Sequence, residues 1–398
     1  AGVLILVVLI VALAGRVTIL GRTPLPKEPQ VLMAEARALL KDAGYTNAPI
    51  DTFWGFDENK PYLDELEKLE TSYRWDRLGA GPRTGLTFWY REAPKPLLPI
   101  NSTSYRMSVS DPPSLTPSMA TVWMDPSGSL LRLQVVPPER DGPAAPGAEP
   151  PRTDWNRLLG AAGLREADLH REESIWNPPF HADVRRAWTG PFPGGKDASL
   201  RVEAASYLGR PVYFRLLAPW EKPAESAPDP RSMGERVADL LGSVIFFVLL
   251  LGGLLLARRN LRLGRSDRTG AFRIASVFIA AHMLGWVLWG TYLANGNAMF
   301  GAFFATLAAT LFEGVLLYVL YLALEPYVRK RWPETIVSWT RALSGRLRDP
   351  LVGRDMLLGC LLGAAMQSLS DAPRWLWMDP RRPGSVDLSG FVVTRHMF

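Results

Sequence analysis

The sequence predicts an α+β domain attached to a polytopic bundle of apolar helices. Three observations predict it. Residues 237–257 read VADLLGSVIFFVLLLGGLLLA, an apolar run long enough to cross the hydrocarbon core of a bilayer. Residues 21–235 contain no such run and instead alternate short amphipathic helices with aromatic, β-branched segments. Basic residues crowd beside the apolar runs, as Arg258, Arg259, Arg262, Arg265, Arg268 and Arg273 do after residue 257. The near-zero mean hydropathy of the 398 residues therefore averages a membrane half and a polar half. The same placement accounts for the net charge of +6; no basic groove with base-stacking aromatics argues for a nucleic-acid partner.

In chain order, residues 1–20 are apolar except for Arg16 and read as a first transmembrane helix, with a cleaved signal peptide as the alternative. The chain opens inside this run without a Met and is read as a fragment or processed product. Residues 21–138 form a first α+β subdomain. Val31, Ala34, Ala38 and Leu39 share one face of a helix over 31–44, with Gly44 at its C′ position. Strand-like segments follow at 51–56, 86–91 and 105–109, with a second helix at 61–69 carrying Tyr62, Leu66 and Leu69 on one face. A hairpin spans 121–136 around Asp125-Pro126-Ser127-Gly128, with Pro and Gly where a tight turn needs them.

Residues 139–152 are a Pro/Ala/Gly linker. A second subdomain occupies 153–220, with a helix over 154–163 that has Asp154 as N-cap or first-turn acid. Aromatic segments at 174–179 and 183–188 follow, then paired strands at 199–207 and 212–217 around Gly209-Arg210-Pro211. Each subdomain has a helix ending in Ala-Gly (Ala43-Gly44, Ala162-Gly163), then an aromatic strand, then a hairpin, the order expected of a diverged tandem. Residues 221–235 are again a Pro-rich linker.

The membrane half continues with a basic loop at 258–273, a helix over 274–293 whose outer end carries Trp286, Trp289 and Tyr292, and a helix over 299–324. Glu325-Pro326 is expected to stop that last helix, because proline has no N–H to continue the ladder. Residues 325–355 form a second basic loop. Arg329, Lys330 and Arg331 open it, and Trp332, Ile336, Trp339, Leu343 and Leu347 recur at helical spacing, with Arg341, Arg346 and Arg348 largely off that stripe. Such a helix suits the lipid interface, rings down and guanidinium groups up. Residues 356–369 are short for a span and read as tilted, re-entrant or incomplete, and 370–398 as a tail. Both basic loops on the cytoplasmic side put the N-terminus inside and residues 21–235 outside a bacterial inner membrane.

No chemistry-bearing motif is present. His170, His181, His282 and His396 have no metal-ligand spacing, and HExxH, CxxC, GxSxG, Walker and GxGxxG patterns are absent, so neither a catalytic site nor a cofactor is expected. Glu313, in LFEGVLL, is an acid at bilayer depth, with His282 as its nearest plausible partner and Gly314 as a point of close helix approach. An interhelical bond and a proton or ion role are both open for the pair. Cys360, the one cysteine, excludes an intramolecular disulfide and reads as a small buried hydrophobe. Trp54, Trp75, Trp89, Trp123, Trp155, Trp176, Trp188 and Trp220 either form a core or line a ligand groove. Glu65, Glu67 and Glu70 read as a solvated helix face, and Asn101-Ser102-Thr103 matches a glycosylation sequon. The partners expected are the lipid bilayer, a second copy of the chain and an unidentified extracytoplasmic ligand.

The run ALEPYVRKRWPETIVSWTRALSGRLRDPLVGRD resembles the C-terminal membrane region of large bacterial receptor-like serine/threonine protein kinases of the acidobacterial type. LTFWYRE at 86–92 and the segment 154–188 are similar to the exported region of that family. The resemblance implies a cytoplasmic kinase ahead of the first helix, an extracytoplasmic domain and a polytopic bundle. The kinase itself is not in this sequence: there is no glycine-rich loop, Val-Ala-Ile-Lys, His-Arg-Asp or Asp-Phe-Gly, and Arg348-Asp349 and Arg354-Asp355 lack the His and Asn of a catalytic loop. The expected function is thus a non-catalytic sensory and anchoring region for signal transduction. A transporter-like or intramembrane enzyme bundle using Glu313 and His282, and a structural envelope anchor, are the alternatives.

Overall fold

The computed structural model describes residues 5, 8, 19–68, 78, 81–100, 107–140, 153–192, 199–221, 233–289, 296–333, 337–338, 341–342, 345–346 and 348–376. Most of them fall into an α+β unit within residues 10–222 and a helical unit within residues 223–290 and 296–370. Most of residues 1–20, the greater part of both linkers, the sequon, Glu70, Trp75, Trp339 and the tail beyond 376 lie outside the described residues.

The α+β unit starts, after a helical turn at Ile19–Arg22, with α1 (Pro29–Asp42), which has proline in its first turn. A Schellman motif ends it: the Tyr45 N–H donates to the Leu40 carbonyl (2.9 Å), and Gly44 takes φ +94°. Strand β1 (Asp51–Glu58), helix α2 (Lys60–Glu67) and strands β2 (Leu86–Ala93), β3 (Ala120–Met124) and β4 (Leu130–Val135) follow. The β3–β4 turn is held by Asp125, whose Oδ1 accepts from the Ser127 and Ser129 N–H groups (2.9 and 2.8 Å). Helix α3 (Trp155–Ala161) has Asp154 as N-cap, accepting from the Asn156 N–H. It ends as α1 does, with Gly163 at φ +70° and the Leu164 N–H on the Leu159 carbonyl.

Strands β5 (His170–Glu172), β6 (Val184–Pro191), β7 (Ser199–Tyr207) and β8 (Arg210–Leu217) complete the unit. Leu208 and Gly209, both at positive φ, make the β7–β8 turn. Arg210 and Pro211, expected as turn residues, already belong to β8. The three-residue β5 is too short to show a period and was not expected.

The two helix-plus-strand units share one sheet. Its order is β1-β2-β3-β4-β8-β7-β6-β5, antiparallel throughout, so the halves meet through their last strands. This seam has three partner pairs, Arg132↔Arg215, Leu133↔Phe214 and Gln134↔Tyr213. The β1–β2 ladder runs the full length of both strands, and the β6–β7 ladder the full length of β6. One sheet face carries a single core in which Leu32, Ala36 and Leu40 of α1 and Leu158 and Leu159 of α3 meet Phe88, Val122, Leu133, Val202 and Phe214. The segment 105–109 is not a strand over its described part. Met107 and Val109 instead pack with Phe53, Trp89 and Leu97 in a smaller cluster, because the Arg91 guanidinium takes up the Ser108 and Pro112 carbonyls there.

In the helical unit, α4 (Met233–Arg262), α5 (Arg268–Trp289) and α6 (Gly296–Arg331) are long and apolar enough to cross a membrane, which marks the chain as a membrane protein. Phe247, Leu249, Val277, Phe312 and Val315 stand exposed on them, as side chains facing lipid do. Helix α7 (Pro350–Leu376) follows.

The expected stop at Glu325-Pro326 is overturned: α6 continues through Pro326 to Arg331. Proline removes the N–H that would bond the Leu322 carbonyl. The buried Asn260 at the end of α4 supplies the missing donor, its Nδ2 lying 3.1 Å from the Leu322 oxygen and also 2.9 Å from the Ala323 oxygen. Ser266 Oγ lies 3.4 Å from the same Leu322 oxygen. Asn260→Ala is therefore expected to destabilise the helical unit by about 1–3 kcal/mol. Adding Pro326→Ala restores the helix's own donor and should recover most of that loss. Unfolding of the four proteins in detergent checks it, and an Asn260 effect untouched by Pro326→Ala sinks the explanation.

Candidate functional site

The two polar residues that stand out in the apolar runs meet. His282 on α5 and Glu313 on α6 lie with Nδ1 and Oε2 3.3 Å apart, both about half exposed. The approach depends on Gly314. It is buried, and a Cβ there would come within 2.7 Å of Ile279 Cδ1, so no larger residue lets α6 lie this close to α5. Phe278 stands edge-on to the His282 ring, with centroids 5.8 Å apart. One turn before Glu313, the Thr310 hydroxyl is buried with no hydrogen-bond partner among the described residues. A carboxylate bonded to an imidazole can share or pass a proton, and each group lowers the cost of the other's polarity in lipid.

The basic segment after α6 is built from ion pairs. Arg329 pairs with the buried Glu325 one turn earlier. Lys330, Arg331 and Trp332 are exposed, Trp332 by 61%. Arg341 reaches Asp349 at 2.7 Å. Asp349 also caps α7, accepting from the Leu351 N–H at 2.9 Å just ahead of Pro350. That N–H, with Arg341, holds the Asp349 carboxyl below the usual aspartate range. Arg354 pairs with its neighbour Asp355 at 3.0 Å. Cys360, expected to be buried, is exposed on α7.

The tryptophans of the α+β unit divide. Trp89 and Trp188 are fully buried, and Trp54, Trp155 and Trp220 pack against the main core. Trp123 and Trp176 are half-buried and take guanidinium groups onto their rings. Among the described residues, no three or more His, Cys, Asp or Glu side chains gather where they could hold a metal.

A cleft of about 490 Å³ lies where the halves' helices approach, lined by the end of α1, by Asp154 and Arg157 of α3's first turn, and by the Leu208–Gly209 turn. Gly44 and Arg210 line both it and a second cleft of about 170 Å³, where Tyr45 and Glu92 lie. Sequence reasoning missed Glu92, whose place in an aromatic strand hid it. It is buried, bonded to Arg37 at 2.6 Å and to the Tyr90 hydroxyl at 3.1 Å. Burial pushes its carboxyl above the usual glutamate value, against the pull of Arg37 and Tyr90. Compared with protein-family models, with curated proteins and with solved structures, the chain matches none.

Glu92 has a consequence for pH. Its folded pKa is raised, so between the unfolded value near 4.5 and the folded value the folded chain holds a proton that the unfolded chain has lost. Stability from this group therefore falls as pH rises through that window and stays at its lower level above it. Glu92→Gln should flatten this part of the profile; thermal unfolding of both proteins across the window checks it, and parallel profiles refute it.

Proposed function

We propose that this chain is the non-catalytic sensory and anchoring region of a bacterial receptor-like serine/threonine protein kinase. Residues 21–235 face outward from the inner membrane, and the basic segments 258–273 and 325–355 face the cytoplasm. The observation that carries this reading is the seam. An α+β unit of two four-stranded halves, joined by three partner pairs, belongs to the same chain as three apolar helices. A ligand that binds one arrangement of the halves better than another shifts their population, and the first membrane segment passes the change inward. The run at 323–355 supplies the kinase resemblance.

Two measurements test the reading. Alkaline phosphatase fused after residue 221 should be active and β-galactosidase there inactive, with the reverse after residue 345; the opposite pattern overturns the orientation. Sequencing of the DNA ahead of the Ala1 codon should reveal an in-frame kinase domain, and a start codon immediately before Ala1 refutes the kinase assignment.

A second reading has its own observation. The 3.3 Å contact of His282 with Glu313 suits a proton-coupled site in a transporter-like or enzymatic bundle. Under it, Glu313→Gln abolishes proton uptake by the reconstituted chain in vesicles while the fold is kept. Equal uptake by parent and variant removes it.

A further inference from the structure

Two arginines face each other across the seam. Arg132 of β4 is the direct partner of Arg215 of β8. Leu133 and Phe214 point into the core shared with α1 and α3, so by alternation Arg132, Gln134, Tyr213 and Arg215 lie on the opposite sheet face. Like charges directly opposite each other destabilise a strand pair, and this pair sits where the two halves depend on three pairings.

Each of the other described arginines of that face bonds at least one oxygen acceptor, although Arg91 Nε, like Arg132 Nε, is buried without a partner among the described residues. Arg91 donates to the Ser108 and Pro112 carbonyls, Arg201 pairs with Glu172 and Glu203, Arg185 bonds the Asn177 side chain, and Arg215 pairs with Glu221. Arg132 differs. Its guanidinium lies over the Trp123 ring, Cζ 4.6 Å from the centroid. Its Nε is buried with no hydrogen-bond partner, and no ion pair reaches it among the described residues. Burial first, and then the charge of Arg215, push its pKa down, against the pull of Tyr213 and of the nearby Glu221 carboxylate. An apolar residue of similar volume would stack on Trp123 without this penalty, so packing alone does not account for the charge.

We propose that this face binds an oxyanion, a carboxylate or phosphate group, through Arg132, with Arg215 and Gln134 beside it. A guanidinium held over an indole through its central carbon keeps terminal N–H groups that can take two oxygens of one anion. Gln134, the next residue of β4 on this face, is half-buried and offers an amide donor. Trp176 flanks Arg215, its ring centroid 5.5 Å from that guanidinium carbon, so both arginines are held by aromatic rings. The bound charge adds to that of Glu221 in offsetting the repulsion across the seam and so ties the halves together. Its role as the sensed signal rests on the sensory function proposed above; the binding itself does not, and is measured without any kinase output.

The test uses the whole chain in neutral detergent. Inorganic phosphate or acetate should raise the midpoint of thermal unfolding saturably, while sodium chloride at equal ionic strength does not. Arg132→Gln should weaken the apparent affinity by about tenfold or more. Arg132→Met should lose the response yet unfold, without added anion, no earlier than the parent. Gln134→Met, which leaves both arginines in place, should weaken the response several-fold and keeps the proposal testable if the Arg132 variants do not fold. The chain in nanodiscs of phosphatidylcholine with and without phosphatidylglycerol separates the sources. An Arg132-dependent rise with the anionic lipid assigns a headgroup, and a rise with the soluble anions alone assigns a free solute. Identical responses of parent, Arg132→Gln and Gln134→Met in every medium overturn the site, whatever the kinase reading's fate.

Discussion

The α+β unit depends on the pairing of β4 with β8. Every other neighbour pair in the sheet joins strands consecutive in sequence. Without this one, each half would be a four-stranded meander with only its own α1 or α3 over the core face, a layer too thin to exclude water from its core. With it, α1 and α3 cover one face together and their leucines share a cluster with strands from both halves. The register that puts Leu133 opposite Phe214 in this core also puts Arg132 opposite Arg215 on the other face. The period of two in a strand makes these inseparable.

The helical unit rests on a comparable dependence between distant residues. A proline inside α6 leaves a carbonyl without its donor, and the end of α4 provides one. Farther along the same helix, Gly314 admits Ile279, and Glu313 reaches His282. In lipid, where no water stands ready to bond a stray polar group, these few contacts fix which faces of α4, α5 and α6 meet. The apolar remainder of each helix packs equally well against lipid tails and specifies little.

What was legible in the sequence follows from how local the cause is. The ends of α1 and α3 were readable because Gly44 and Gly163 adopt backbone conformations that glycine reaches without strain, and the β3–β4 turn because Asp125-Pro126-Ser127-Gly128 carries its own hydrogen bonds. The three apolar helices were readable from length and composition alone. Glu313 and His282 stood out because polarity is rare in such runs. The β7–β8 turn was misplaced because Leu208 adopts positive φ, which a branched apolar residue seldom does. The continuation of α6 was missed because its remedy, Asn260, lies in another helix. The seam was missed for the same reason: nothing local to β4 names its partner. Nothing in LLRLQVV singles out Arg132, and only the partner strand reveals that another arginine stands opposite.

The strand order also sets a sequence in time. β1 to β4 can pair as the chain emerges, each with the strand just made, whereas β4 finds its second neighbour only after residue 217 has been synthesised. Until then its outer edge is open, and the loop to be closed contains the whole of α3 and three strands. A newly made first half therefore exposes the one surface most prone to pair with another chain, at the stage when no disulfide can hold it. The charged Arg132 at the middle of that edge strand guards it in this interval, because a second copy of β4 paired there would bring a like charge against it. The same residue that strains the finished seam thus disfavours the wrong one.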